Sequence, residues 1–236
     1  MAHGAQQAAG PGGAGTVTVR AVVFDLDGVL LDSEQVWDDV RQRLAADHGR
    51  AWPEAASHAM MGMSTPEWAS YLVEVVGLPM SAERAAQEVV DGVLAAYSDD
   101  PPLLPGALTC VTALAQVWPL GLASSSARPI IDAVLASTGL DRHFSAVVSS
   151  EETAKGKPSP DVYLAAAGQL SVAPTDCVAV EDSSNGIRAA HAAGMAVVAV
   201  PNPHYPPVRE ALALASVTIA GVSEVTVPLV RDLGGG

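Results

Sequence analysis

The 236-residue chain is poor in basic residues: it has 12 lysines and arginines against 26 aspartates and glutamates, which gives a formal net charge of −14. Proteins that bind nucleic acids or anionic membranes use clustered lysines and arginines, and this sequence contains no basic run. We therefore expect neither kind of partner, although a small anion can still bind. Only 16% of the residues are charged and 49% are hydrophobic, which excludes a disordered chain and favours a well-buried core.

The sequence also lacks long apolar runs and has only two cysteines. No stretch reaches the roughly 20 apolar residues of a membrane span; Ile130–Leu140, for example, is interrupted by polar residues. Cys110 and Cys177 lie apart in apolar segments, which favours buried, reduced thiols in a cytoplasmic protein over a disulfide or a metal site. Residues 1–15 have neither the cationic start nor the apolar stretch of a signal peptide, and we expect a disordered tail there.

Short β-branched runs alternate with helical patterns, which is typical of a parallel sheet with crossover helices. The predicted strands are Thr16–Phe24, Leu120–Ser124, Ala146–Ser149, Cys177–Val180, Ala196–Val200 and a weaker Val217–Ala220. The predicted helices between them are Leu108–Val117, Pro129–Thr138, Asp161–Leu170 and Ile187–Ala193. The fold class is therefore α/β, with a doubly wound, Rossmann-like parallel sheet.

The alternation is interrupted directly after the first strand, where residues 33–104 contain only helical patterns. These helices are predicted at Glu34–His48, Pro66–Val76 and Ala82–Tyr97. We expect residues 33–104 to form a small helical cap domain, inserted into a core made of residues 16–32 and 105–236.

Two carboxylates, Asp25 and Asp27, follow the first predicted strand, and Gly28 after them permits a sharp turn. Alternate residues of a strand point the same way, so both carboxylates can face the crevice at the carboxyl edge of the sheet, where ligands bind in open α/β sheets. Taken alone, the Asp-x-Asp-Gly pattern is more often an ordinary turn.

Hydroxyl and ammonium groups follow two further strands. The second strand ends at Ser124, Ser125 and Ser126, whose hydroxyls and backbone N–H groups can hold an anion at the start of a helix or can simply cap that helix. Pro158 keeps Lys157 out of the helical region. Lys157 is thus a candidate for neutralising a bound phosphate, with a solvated loop lysine as the alternative.

The fourth strand ends in adjacent carboxylates, Glu181 and Asp182. If this strand and the first are both central, these acids converge with Asp25 and Asp27, and such a cluster repels itself unless a cation binds. Hard oxygen ligands in this number indicate Mg²⁺. An acidic N-cap for the next helix is the alternative, but it does not explain the pairing with the first strand.

These four segments, in this order and each at a strand end, resemble the four motifs of the haloacid dehalogenase superfamily, most of whose members are phosphatases. The resemblance spans residues 17 to about 200 and is carried by Phe24-Asp25-Leu26-Asp27-Gly28, Ser124, Lys157-Pro158, Glu181-Asp182-Ser183 and Asn185-Gly186. The helical insertion after the first motif is similar to the cap of the phosphatase and β-phosphoglucomutase branch.

The resemblance implies a Mg²⁺-dependent phosphatase for a small phosphorylated metabolite, such as a sugar phosphate, and we expect a monomer or a weak homodimer. Asp25 would form an aspartyl-phosphate, while Asp27 would protonate the leaving group and later activate water. Ser124 and the backbone N–H of Ser125 would hold the phosphoryl oxygens, with Lys157 bridging the nucleophile and the phosphate. The implied metal contacts are Asp25, the backbone carbonyl of Asp27, Asp182 and, with direct ligation left open, Glu181.

Other activities of the superfamily fit less well. Dehalogenation is disfavoured because a halide leaves unprotonated and needs no acid at Asp27. A phosphosugar mutase shares all four motifs, but Trp37 stands at the position of its gating histidine, and Thr65 stands at that of its phosphate-binding arginine. Both departures favour a phosphatase. A binding protein without turnover is a third hypothesis, against which the intact motif set argues.

Overall fold

A computed structural model describes residues 18–61, 63–97, 101–203 and 205–234 of the chain. The predicted disordered tail, residues 1–15, and the first residues of the predicted first strand lie outside this part. The elements, in chain order, are β1 (Ala21–Phe24), α1 (Glu34–Asp47), α2 (Ala56–Ala59), α3 (Thr65–Glu74), α4 (Ala82–Ala96), α5 (Ala107–Ala115), β2 (Leu120–Ser124), α6 (Arg128–Thr138), β3 (Phe144–Ser149), α7 (Asp161–Leu170), β4 (Cys177–Glu181), α8 (Ser184–Ala192), β5 (Ala196–Ala199), α9 (Arg209–Leu212), β6 (Val217–Thr218) and α10 (Val227–Asp232).

The six strands form one parallel sheet in the order β3-β2-β1-β4-β5-β6. Every residue of β1, β2 and β4 is buried, which is why these strands appear in the sequence as nearly continuous apolar runs. The strand order reverses between β1 and β4, and ligands bind at such a reversal in open α/β sheets. The predicted doubly wound α/β fold is confirmed.

The register of β1 determines which side chains meet at the carboxyl edge. Phe24 pairs with Leu122 of β2 and with Val180 of β4. One residue further along, the Asp25 N–H donates to the Val180 carbonyl over 3.0 Å, so that Asp25 lies beside Glu181. The acids that follow the first and fourth strands are therefore neighbours.

The described residues between 33 and 97 contain helices and no strand. Helices α1, α3 and α4 lie where the apolar periodicity predicts them, and the buried side chains of this segment join the same apolar cluster as Phe24 of β1. Among these buried residues are Trp37, Met60 and Trp68. The predicted division into a core and a cap domain at residues 33 and 104 stays a prediction.

Several bounds differ from those predicted. β4 extends through Glu181, and α8 begins at Ser184 instead of Ile187 because the Ser183 hydroxyl caps it by accepting from the Gly186 N–H over 3.0 Å. The acidic N-cap interpretation of Glu181 and Asp182 is therefore wrong. Helices α2, α9 and α10 were not predicted, since four to six residues are too few to show a helical period.

The described part of the chain contains no helix that is both long enough and apolar enough to cross a membrane.

Candidate active site

The carboxyl ends of β1, β2 and β4 open into a crevice between the sheet and helices α1 and α3. Residues from all four sequence motifs line it, and residues of the helical segment face them. The crevice is lined by Asp25, Asp27, Glu34, Trp37, Arg41, Met60, Met61, Met63, Trp68, Ser125, Ser126, Lys157, Asp182 and Ser183. The structure thus brings most of the predicted site residues together in the crevice, whereas Ser124 and Glu181 are fully buried behind its lining.

Lys157 joins the first and fourth motifs. Its ammonium donates to Oδ1 of Asp25 over 2.8 Å and to Oε1 of Glu181 over 2.6 Å. The residue is only 3% exposed, so the alternative of a solvated loop lysine is wrong. Burial alone would lower the pKa of Lys157, but the charges of Asp25 and Glu181 raise it above its ordinary value. Lys157 is therefore a fixed cation beside Asp25.

Glu181 holds this lysine in place. Its Oε1 also accepts from the hydroxyl of Tyr163 over 2.7 Å, while its Oε2 accepts from the backbone N–H groups of Asp182 (3.0 Å) and Ser183 (3.1 Å). Both oxygens of this fully buried carboxylate therefore have partners. Tyr163 is a site residue that the sequence reasoning missed, because a tyrosine within an amphipathic helix resembles any other core residue.

Asp182 differs from Glu181 because one of its oxygens has no partner. It is 2% exposed, and within the described residues its Oδ2 accepts no hydrogen bond. A Cβ atom on Gly28 would lie 2.0 Å from this oxygen, and Gly28 has a φ of +78°. The glycine therefore provides both the turn and the space that the Asp182 carboxylate needs.

The acid cluster has the composition of a cation site. Ligand oxygens of Asp25, Glu181 and Asp182 lie within 4.8 Å of one another. Burial, with the charges of Glu181 and Asp27, raises the pKa of Asp25 to about 8 although Lys157 acts in the opposite direction. Burial and the charges of Glu181 and Asp25 raise the pKa of Asp182 well above its ordinary value. Three buried carboxylates around one lysine, with one oxygen unpartnered, fit a hard divalent cation such as Mg²⁺.

Asp27 is held from two sides. The hydroxyl of Ser126 donates to its Oδ2, and the indole N–H of Trp37 donates to its Oδ1 over 3.1 Å. Sequence reasoning missed both contacts. Trp37 lies on α1, so this bond links the helical segment directly to the proposed acid and base.

The serine run after β2 does not cap α6. Ala127 is the N-cap residue of that helix, and the hydroxyl of Ser124 accepts from the Ser126 N–H over 3.0 Å. The Ser125 hydroxyl is buried without a hydrogen-bond partner in the described part of the chain. The helix-capping interpretation of these serines is therefore wrong, and the Ser125 hydroxyl remains available to a ligand.

Helix α1 presents a charged face to the crevice. Glu34, Trp37 and Arg41 are three and four residues apart and share one face. Arg41 is 8% exposed, and its guanidinium carbon lies 4.9 Å from the ring centre of Trp37 and 5.1 Å from that of Trp68. Burial lowers the pKa of Arg41 to about 10, so it remains a cation at neutral pH. The sequence reasoning sought a cation in the loop at residues 61–67 and missed this one.

Glu34 is expected to make stability depend on pH. Burial and, to a lesser extent, the charge of Asp27 raise the pKa of Glu34 from 4.5 to about 7. The stabilising contribution of the neutral side chain is therefore fully present below pH 4.5 and is lost as the pH rises through about 7. The glutamine of a Glu34→Gln variant does not titrate. The free energy of unfolding of this variant, taken relative to that of the wild type, should therefore rise by roughly 1–2 kcal/mol from pH 5 to pH 8. Urea unfolding at both pH values measures this.

The control for this experiment is Glu74→Gln, which changes an exposed glutamate at the end of α3. It should follow the wild type at both pH values. An identical pH dependence of stability in Glu34→Gln and the wild type would contradict the assignment.

Comparison with known proteins agrees with this geometry. A model of the haloacid dehalogenase-like hydrolase family matches residues 19–194. The chain is 34% identical over 215 residues to hexitol phosphatase B of Escherichia coli, covering 88% of this chain and 95% of that protein. It is 31% identical to the fructose-1-phosphate phosphatase YqaB of the same organism, and the match covers 76% of this chain and 95% of that protein.

A longer relative matches only in part. The chain is 36% identical to the bifunctional riboflavin kinase/FMN phosphatase of Arabidopsis thaliana over 77% of its own length and 48% of that protein. This chain therefore corresponds to about half of that relative.

Solved structures show the same fold. A β-phosphoglucomutase from Clostridium difficile superposes with a TM-score of 0.79 at 23% identity, covering 92% of this chain and 97% of that one. A hydrolase from Entamoeba histolytica has the same score at 24% identity, covering 92% and 100%.

The parallel sheet and the acid cluster at its reversal point define a doubly wound α/β protein with a candidate site at the carboxyl edge of the sheet. More specifically, the chain belongs to the haloacid dehalogenase-like hydrolases, and the enzyme class that it shares with the relatives above is that of the phosphoric monoester hydrolases.

Proposed function

We propose that this protein is a cytoplasmic, Mg²⁺-dependent phosphatase that hydrolyses a small phosphate monoester, a sugar phosphate or a similar metabolite, through an aspartyl-phosphate intermediate. The observation that carries the proposal is the pairing of Asp25 with the buried Lys157, beside the unpartnered oxygen of Asp182. Two relatives named for hexitol and fructose-1-phosphate phosphatase activity support the substrate class.

In the first step, a carboxylate oxygen of Asp25 attacks the phosphorus of the monoester, and the bond from phosphorus to the alcohol oxygen breaks. Asp27 gives its proton to the departing alkoxide, and Ser126 and Trp37 hold the Asp27 carboxyl in place. Lys157 bridges Asp25 and a phosphoryl oxygen. This step leaves the phosphoryl group on Asp25 and releases the alcohol.

In the second step, Asp27 takes a proton from a water molecule, and the water oxygen attacks the phosphorus. The bond from phosphorus to the Asp25 oxygen breaks, which releases inorganic phosphate and regenerates the Asp25 carboxylate. The Ser124 hydroxyl and the Ser125 N–H stabilise the charge on the phosphoryl oxygens in both steps. Splitting hydrolysis into two transfers lowers the barrier of each.

The residues that would hold Mg²⁺ are Asp25, the backbone carbonyl of Asp27 and Asp182. Bound Mg²⁺ would offset the negative charge of the phosphate against that of the nucleophile. Glu181 lies close enough to contribute an oxygen, but both of its oxygens already accept hydrogen bonds. We therefore assign Glu181 mainly to the positioning of Lys157.

The proposed function is tested by phosphate release from p-nitrophenyl phosphate with Mg²⁺ and with a chelator. We expect release with Mg²⁺, a fall of at least about 100-fold on chelation, and recovery when Mg²⁺ is added back. Release that is unchanged by chelation, or absent with this substrate and with a panel of sugar phosphates, would overturn the proposal.

Arg41 gives a specific reason to test the mutase as a second function. The sequence argument against it rested partly on Thr65, since no cation stands there, yet Arg41 places a cation elsewhere in the crevice. The second argument against a mutase is unaffected: Trp37 stands where the mutase has its gating histidine, and it donates a hydrogen bond to Asp27. Incubation with β-glucose 1-phosphate separates the two: phosphate release supports the phosphatase, and glucose 6-phosphate formation supports the mutase.

A further inference from the structure

Arg41 is 8% exposed, and its guanidinium has no polar partner among the described residues. Within the described residues it forms no hydrogen bond and no ion pair, and its Nε is shielded from solvent as well as unpartnered. Its contacts are with the indole rings of Trp37 and Trp68. A buried arginine that serves only to stabilise a fold normally has its donors paired, because an unpaired buried charge is costly.

Two of the carboxylates that face Arg41, those of Asp38 and Asp27, make their hydrogen bonds elsewhere. The charges acting on it include those of Glu34, Asp38 and Asp27, but none of these forms an ion pair with it. Asp38 accepts from Gln42 over 2.7 Å and from the Ser57 hydroxyl, while Asp27 accepts from Trp37 and Ser126. The donors of Arg41 therefore remain available on the crevice side.

The placement of Arg41 separates it from the groups that would hold the transferred phosphoryl group. Ser124 and Lys157 belong to the sheet edge and its loops, whereas Arg41 lies on α1, which covers the crevice. A substrate whose phosphoryl group lies against Asp25 directs its alcohol portion away from the sheet edge, towards the residues of the helical segment. Arg41 is the cation among those crevice-lining residues.

We propose that Arg41 binds an anionic group, a carboxylate or a second phosphate, carried by the alcohol portion of the substrate. The planar guanidinium matches either anion in a bidentate arrangement, and the two tryptophan rings lie against it. This inference rests on the proposed phosphatase function and narrows its substrate class to monoesters with a second negative charge.

The test compares substrates with and without that charge. An Arg41→Met variant retains an unbranched side chain beside the two indoles but has no donors. We compare the kcat/KM for 2-phosphoglycolate, and for a sugar bisphosphate, with the kcat/KM for p-nitrophenyl phosphate. In Arg41→Met each of these two ratios should fall about 10- to 100-fold below that of the wild type, mainly because KM for the charged substrate rises. Arg41→Lys keeps the charge but not the two parallel donors of the guanidinium, so its substrate ratios should lie between those of the wild type and Arg41→Met.

A control variant and a stability measurement separate this role from a structural one. Arg43→Met removes the same charge from the exposed side of α1, where Arg43 donates to the Asp39 carbonyl over 3.3 Å, and should leave the substrate ratio unchanged. Thermal unfolding checks that Arg41→Met is folded. A loss confined to 2-phosphoglycolate identifies a carboxylate site, and a loss confined to the bisphosphate identifies a phosphate site.

Two outcomes would overturn the inference: an equal loss by Arg41→Met on all three substrates, or an unchanged ratio. Either leaves the proposed phosphatase intact, provided that the wild type releases phosphate from p-nitrophenyl phosphate or from a sugar phosphate in the presence of Mg²⁺. If it releases phosphate from none of these substrates, the phosphatase proposal fails, and calorimetric binding of 2-phosphoglycolate and the bisphosphate to the wild type and Arg41→Met still tests the arginine. Equal binding by the two proteins would then contradict it.

Discussion

An Asp25→Asn variant is expected to lose phosphatase activity by about 10⁴-fold or more, the size of effect that follows removal of a catalytic nucleophile. The amide has the same shape as the carboxylate but is a poor nucleophile, and it cannot form the charged pair with Lys157. The variant should still fold, because the amide fills the same space and Lys157 keeps its ion pair with Glu181. Phosphate release and detection of a phosphorylated chain by mass spectrometry measure the effect.

The control is Asp39→Asn, which changes an exposed acid of α1 that accepts from Gln35 over 2.8 Å. It should keep the wild-type rate. If Asp25→Asn retained more than a tenth of the wild-type rate, Asp25 would not be the nucleophile, and the covalent mechanism would be wrong even if the protein is a phosphatase.

The convergence of the catalytic motifs could be predicted from the sequence because it depends on the sheet alone. β1 and β4 are apolar runs that end in acids, and parallel strands present their carboxyl ends at one edge. Once Phe24 pairs with Val180, Asp25 and Glu181 must be neighbours. This step needs neither side-chain geometry nor the details of the loops.

The contacts within the site could not be predicted in the same way. The bond from Ser126 to Asp27 joins residues 99 positions apart, and a hydrophobic period carries no information about such a pair. Adjacent acids in a sequence also look alike, yet both oxygens of Glu181 are paired, whereas one oxygen of Asp182 has no partner in the part of the chain that the structure describes. Their different surroundings depend on Lys157 and Gly28, which reach them from other loops.

The missed role of Arg41 has a different cause. Its position could have been found, because Glu34, Trp37 and Arg41 occupy one face of a correctly predicted helix. What the sequence could not show is that this face lies over the carboxyl edge of the sheet and that Trp68 of α3 lies against the same guanidinium. Tertiary packing turns an ordinary helical arginine into a buried one.

Gly186→Ala is expected to destabilise the protein strongly, although local helix propensity predicts the reverse. Gly186 lies in the first turn of α8, where alanine would gain at most about 1 kcal/mol over glycine. The new Cβ, however, would lie 1.7 Å from Oε1 of Glu181. That carboxylate would have to move, which breaks its buried bonds to Lys157 and Tyr163. Breaking a buried charge pair costs about 3–5 kcal/mol, so the net loss should be about 2–4 kcal/mol.

The matched control is Gly168→Ala in α7, where no atom of the described residues lies within 4 Å of the added Cβ. This variant should be slightly more stable than the wild type, because the only effect is the higher helix propensity of alanine compared with glycine. Urea unfolding of both variants separates the two effects, and Gly186→Ala should in addition lower phosphatase activity because Lys157 loses its anchor. If both variants were stabilised alike, Glu181 could move without cost, and its assignment as the group that positions Lys157 would be wrong.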